Sequence, residues 1–288
     1  MIVAYIKEEK INNGFFKGLE IRGVDNNYII SINDKKNKRI KKKLAKKILK
    51  LNIGAIVFSK ELEGDFKEEV CELLNLGDNI NIQILNGKKL MEFMEFDILK
   101  YIIEKQKKKM TEQDIYIVFK KDNILNLNFL KRFIENYRMT NVVTNDIERL
   151  KNIQDNLINN DDILISVSNN KRKALKRAKY ILNVNLKKEE LEKYRINREA
   201  IIINIQEFIK YDNSGFDGIN VNYFEINVPD ELEERFEQIG NNFDIIKLYE
   251  SILLSETTGE NIESIYNKIS RDEVTVKSII GNNGVIEK

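Results

Sequence analysis

Any acid–base chemistry in this chain falls to Asp, Glu, Lys, Tyr or the single Cys71, because histidine is absent from all 288 residues. That absence removes the commonest general base, the usual nitrogen ligand for metals, and every Ser–His or Cys–His nucleophile pair. A lone cysteine excludes an internal disulfide and a multi-cysteine metal site, so no metal centre is expected. It also suits a reducing compartment. Cys71 falls in an apolar helical segment and reads as a small buried hydrophobe. The paired carboxylates Glu68-Glu69, Asp161-Asp162, Glu189-Glu190 and Glu233-Glu234 sit on expected helices or loops, several with lysines nearby. They read as solvated faces and as complements to helix N-termini, not as catalytic pairs.

The remaining polar candidates follow the ends of short apolar runs. Those runs are Ile115–Phe119, Asn141–Thr144, Ile163–Val167, Tyr180–Val184 and Ala200–Ile205, most of them separated by amphipathic segments. Such alternation predicts a parallel sheet with helices on its faces. Open α/β sheets meet their ligands outside the carboxyl ends of the strands. The expected binding site is therefore Lys120, Asn123, Asp146, Asn169 and Asn170. Lys120 and Lys121 favour an anion there and Asp146 opposes one, so the ligand expected carries hydroxyls. Asp146 has a second reading, as a cap for the helix expected over 147–157, and Asn169 and Asn170 likewise for Lys171–Lys179. Capping is the leading reading of all three.

The stretch 115–205 resembles the Rossmann domains of shikimate dehydrogenase and glutamyl-tRNA reductase. The run "ALKRAKYILNVNL" (174–186) resembles the helix and strand before their later loops, and "INREAIIINI" (196–205) their next strand. The resemblance implies an NAD(P)-dependent oxidoreductase. One departure bears on that implication. The Gly-x-Gly-x-x-Gly turn due after the first strand is replaced by Lys120-Lys-Asp-Asn-Ile-Leu-Asn126, which has no glycine. Those glycines permit the tight turn, the approach of backbone to pyrophosphate, and helix–strand packing. No cofactor is therefore expected.

The elements that must position this site divide, on the sequence, into a smaller N-terminal α/β domain (1–109) and a Rossmann-like domain (110–288). The first has expected strands at Met1–Ile6, Phe15–Ile21, Tyr28–Ile32, Ala55–Phe58 and near Ile80–Leu85. Its helices are expected at Lys35–Leu51, with Asp34 as N-cap, and at Asp65–Leu74. A long helix over 88–109 closes it, and the boundary is placed in 105–114. Beyond Ile205 the pattern predicts a strand at Ile219–Val228. Helices follow at 230–239, 243–254 and 262–269, then a last strand at 274–280 and a turn at Gly281–Gly284. The fold class expected is α/β with a Rossmann-like, mostly parallel sheet.

Lys35–Lys50 carries lysines at most positions, with Ile40, Leu44 and Ile48 at core spacing. It reads first as a surface helix with a solvated polar face, and second as a patch for nucleic acid or an anionic membrane. Lys+Arg is 48 against Asp+Glu 46, a net charge of +2, without the basic excess of a dedicated nucleic-acid binder. No run approaches the ~20 apolar residues of a membrane span, and Met1–Ile6 lacks the charge order of a signal peptide. The expected setting is cytoplasmic, and the heavy use of Lys, Asn and Ile suits a bacterial genome of biased composition. The function expected is non-catalytic: binding or regulation of an unknown ligand or protein partner. The alternatives are the oxidoreductase with an atypical loop and the adaptor acting through the lysine helix.

Overall fold

The computed structural model describes residues 1–11, 18–75, 82–120, 127–148, 150–152, 154–155, 165–205, 209, 215–257, 261–282 and 284–286. Two compact units divide the chain: Met1–Leu90 with Val228–Val274, and Met91–Asn227 with Thr275–Lys288. This differs from the division expected at 105–114. The returning segment completes the first unit: Tyr5 Oη and Ser251 Oγ share a buried hydrogen bond of 2.9 Å. Glu250 accepts from the amides of Gly87 at 2.8 Å and Lys89 at 2.7 Å.

The first unit holds a five-stranded sheet in the order β2-β3-β1-β4-β5. Its strands are β1 (Val3–Glu8), β2 (Leu19–Val24), β3 (Asn27–Ile32), β4 (Ala55–Phe58) and β5 (Gln83–Ile84). β3, β1, β4 and β5 run parallel, and β2 joins β3 as an antiparallel edge. β1 and β4 read as unbroken apolar runs because both faces of a parallel strand are covered.

Helix α1 (Lys38–Lys50) buries Ile40, Leu44, Ala45 and Ile48 on the core that also holds Phe58 and Phe66. Its cap is Asn37, whose side chain accepts from Arg39 N. Asp34, the expected cap, instead accepts from Lys36 N in a preceding turn. The helix face is also not wholly solvated. Lys41 is buried, 2.7 Å from Glu69 and 5.5 Å from the centre of the Phe66 ring. Cys71, on α2 (Asp65–Asn75), is half-buried against this core, and burial pushes its thiol pKa up.

Helix α3 (Lys88–Lys105) carries the chain into the second unit. There an eight-stranded sheet runs β13-β12-β11-β10-β9-β6-β7-β8. The strands are β6 (Asp114–Val118), β7 (Met139–Val143), β8 (Ile165–Ser168), β9 (Tyr180–Asn183), β10 (Ile201–Asn204), β11 (Ile219–Asn227), β12 (Thr275–Gly281) and β13 (Gly284–Ile286). From β8 to β11 all are parallel, and β12 and β13 add an antiparallel edge. Counted from β6, the parallel part has the order 3-2-1-4-5-6, the order of the dinucleotide-binding folds. The fold class is thus the α/β, Rossmann-like one expected.

Its connections are α4 (Leu127–Ile134), a helical stretch within 147–155, α5 (Lys171–Arg177) and the single turn α6 (Lys188–Leu191). Val118, Leu175, Ile181, Leu191 and Ile202 form one buried face. Gly218 admits no side chain, because a Cβ there would stand 2.0 Å from Ala200 O, which accepts from Ile219 N as β11 begins. The first unit's remaining helices are α7 (Asp230–Ile239), α8 (Ile245–Glu256) and α9 (Ile262–Arg271). Among the described residues no helix is long and apolar enough to cross a membrane.

Candidate functional site

The strand order of the second unit reverses at β6. The chain moves outward through β7 and β8, then returns through α5 to β9 on the other flank. Ligands of open α/β sheets meet the carboxyl ends at such a point. Here those ends are stitched by polar groups. Lys120 N donates to Asn185 Oδ1 at 2.7 Å, and Lys120 Nζ lies 2.9 Å from Glu190 Oε1. Glu190 Oε2 also accepts from Lys187 N at 3.2 Å. The Lys120 ammonium, with these smaller contributions, holds the Glu190 carboxyl below the usual carboxylate range.

Beside this pair stands Lys171, the first residue of α5, only 4% exposed. Its Nζ donates to Asn145 Oδ1 at 2.5 Å, on the loop leaving β7. Among the described residues no carboxylate lies within ion-pair distance of Lys171. Burial depresses its ammonium below the ordinary lysine range. Glu190 opposes that shift and Lys120 adds to it. A buried cation facing a neutral carboxamide is costly, and the cost falls if it gives up its proton or gains an anion.

On the other flank a chain of carboxamides crosses the sheet. Asn183 Nδ2 donates to Asn204 Oδ1 at 2.9 Å, and Asn204 Nδ2 donates to Asn220 Oδ1 at 2.7 Å and Asn222 Oδ1 at 3.1 Å. Asn222 then holds Ile209, accepting from its N at 2.8 Å and donating to its O at 2.9 Å. Asn220 Nδ2 donates to the same Ile209 oxygen. The ladder fixes where the connection after β10 leaves the edge.

Of the expected site residues, Lys120, Asp146, Asn169 and Asn170 follow the strand ends of this edge, with different roles. Lys120 is ion-paired as above. Asn170 is the N-cap of α5, its Oδ1 accepting from Lys173 N at 3.0 Å, so the capping reading holds for it. Asn169 is exposed, and its carbonyl accepts from Lys171 N at 2.9 Å. Asp146 is half-buried, and its amide donates to Thr144 Oγ1 at 3.2 Å. Asn123 and Lys121 lie outside the described residues. The α5 N-terminus offers no anion site of its own, because the helix has seven residues and Asn170 occupies its Lys173 amide.

Sequence reasoning missed Lys171, Asn145, Glu190 and the asparagine ladder. In the sequence Lys171 looks like the other basic residues of 171–179, yet it directly follows a strand end and a cap, where a first-turn side chain can turn back onto the edge. No group of three or more Cys, Asp or Glu side chains converges as a metal site would among the described residues.

The first unit has cavities of about 660 Å³, beside Arg235, and about 480 Å³, beside Lys41. Their principal charges are satisfied locally. Arg235 bridges Asp25 and Glu256 at 3.4 and 3.1 Å, and Lys41 meets Glu69.

No protein-family model and no curated protein matches this chain. Solved structures do, at low similarity. Aspartate transcarbamoylase from Trypanosoma cruzi, in complex with aspartate and phosphate, is 11% identical over 85% of this chain and 80% of that one, with a TM-score of 0.32. L-tryptophan dehydrogenase from Nostoc punctiforme is 8% identical over 85% and 75%, with a TM-score of 0.32. Ornithine carbamoyltransferase from Pyrococcus furiosus is 11% identical over 86% and 82%, with a TM-score of 0.29. All three are enzymes, in conflict with the expectation of a non-catalytic protein, but at TM-scores of 0.29 to 0.32 they carry no argument about this chain's activity. At these scores none of their reactions transfers to this chain. The likeness to shikimate dehydrogenase is not confirmed by these structures. The Rossmann order of the strands is what stands.

Proposed function

We propose that the carboxyl edge of the second sheet receives a small anion that also carries hydroxyls, and that Lys171 is the group that exchanges a proton with it. The observation that carries this reading is a lysine 4% exposed that donates to a carboxamide and has no carboxylate within ion-pair distance among the described residues, the nearby Glu190 being held by Lys120. An anion completes that environment. Lys120, half-exposed and shared with Glu190, supplies a second cation at the rim. In this reading Asp146 and the Asn145 amide take the ligand's hydroxyl groups. A lysine whose pKa is lowered by burial gives up its proton more readily than an exposed one, which suits proton exchange with a bound ligand.

Calorimetric titration with inorganic phosphate and with glycerol 3-phosphate tests the reading. The intact chain is expected to bind glycerol 3-phosphate more tightly than phosphate, and Lys171→Met to weaken both at least tenfold with an unchanged far-ultraviolet spectrum. Equal binding by the variant, or none by the intact chain, overturns it.

A further inference from the structure

The lysine helix has a counterpart of opposite sign within its own unit. On α1, Lys38, Lys42, Lys46 and Lys50 form an exposed stripe at four-residue spacing, with Arg39 and Lys43 exposed beside it. The helix contains no acidic residue. On α7, Asp230, Glu231, Glu233, Glu234 and Glu237 are exposed, with Phe236 and Ile239 turned to the core. None of these cations or carboxylates is in an ion pair with another described residue. The sequence as a whole carries only +2. Two strong patches of opposite sign on a nearly neutral chain are a charge pattern complementary to itself.

We propose that copies of this chain associate by docking α1 of one copy against α7 of another. The helices are about 20 and 15 Å long at 1.5 Å per residue, so the cationic stripe is long enough to span the acidic one. Facing stripes of opposite charge fix orientation and speed encounter. Like helices repel, so α1 against α1 and α7 against α7 are excluded pairings. Contacts of this kind are screened over about 10 Å at 0.1 M salt and about 3 Å at 1 M.

Sedimentation velocity of the full chain in 20 mM and 1 M NaCl reads the association directly. Dimers or larger species are expected at low salt and monomers at high salt. The variant Lys42→Glu, Lys43→Glu, Lys46→Glu and the variant Glu233→Lys, Glu234→Lys, Glu237→Lys should each be monomeric at low salt. Mixed one to one they should associate, because each then offers what the other lost. Should the reversed variants fold poorly, Lys42→Gln, Lys43→Gln, Lys46→Gln is expected to weaken association at least tenfold. A wild-type chain that stays monomeric at low salt overturns the proposal. So do reversed variants that fail to associate when mixed, and a low-salt complex that nuclease treatment disperses, which would make α1 a nucleic-acid surface.

Discussion

The Lys171 ammonium donates to the Asn145 carboxamide oxygen, while the nearby carboxylate of Glu190 is held by Lys120. The cation at the rim has its counter-ion, and the cation beneath it has none among the described residues. A bound anion resolves that imbalance, which gives the site a definite dependence on pH. Lys171 must be protonated to hold an anion, and burial moves its pKa below the usual 10.5. Affinity for glycerol 3-phosphate should therefore fall as pH rises through the depressed pKa, ahead of ordinary lysines. Titrations at intervals from pH 7 to 10.5 check this, and a profile flat over that whole range would remove Lys171 from the site.

Glu95 on α3 is 1% exposed, and its Oε2 has no hydrogen-bond partner among the described residues. Burial raises its pKa well above the ordinary 4.5, with Glu92 adding to the shift and Arg132 opposing it. The folded state thus keeps the proton after the unfolded state has lost it. Stability tied to this group is present below about pH 4.5 and declines as pH rises toward the folded pKa, by up to about 1.4 kcal/mol per pH unit. Glu95→Gln should flatten that decline. Urea melts of both proteins at pH 5 and pH 7.5 measure the difference, and parallel curves would contradict it.

The asparagine ladder should be worth most at its middle. Asn204 is buried and touches Asn183, Asn220 and Asn222, so Asn204→Ala leaves several buried groups unsatisfied. A loss of about 3 kcal/mol is expected. Asn222 is half-buried, and Asn220 still bonds both Asn204 and the Ile209 oxygen when it is lost, so Asn222→Ala leaves fewer groups unsatisfied and should cost about 1 kcal/mol. Denaturant midpoints at unchanged slope read both values. Equal costs would mean that the ladder does not act as a connected unit.

On α1 the two faces should separate cleanly. Leu44 is fully buried, and Leu44→Asp places a charge in the first unit's core at a cost of about 4 kcal/mol or more. Replacing Lys42, Lys43 and Lys46 with Gln touches exposed positions only and should change stability by less than about 0.5 kcal/mol. Thermal melts compare them, and a stable Leu44→Asp protein would mean that α1 is not seated as described.

The sequence by itself determined most of the order of strands and helices, because each is written in a local period that the backbone geometry imposes; the short turn α6 and the edge strand β13 were not among those expected. The unbroken runs 3–6 and 201–203 read as strands, the second within an expected parallel sheet, and Ile40, Leu44 and Ile48 had the spacing of a core face. It also placed Lys120, Asp146, Asn169 and Asn170 at one edge, since strand ends converge once the sheet forms. Tertiary structure alone decided the rest. Asn37 displaced Asp34 as cap because Asp34 closes the preceding turn. Residues 228–274 joined the first unit because Tyr5, Gly87 and Lys89 find their partners at Ser251 and Glu250, more than 150 positions away in sequence. Lys171 and Lys41 look like their solvated neighbours in composition. What sets them apart is burial and the partner each side chain meets, properties of packing between distant segments that no local period carries.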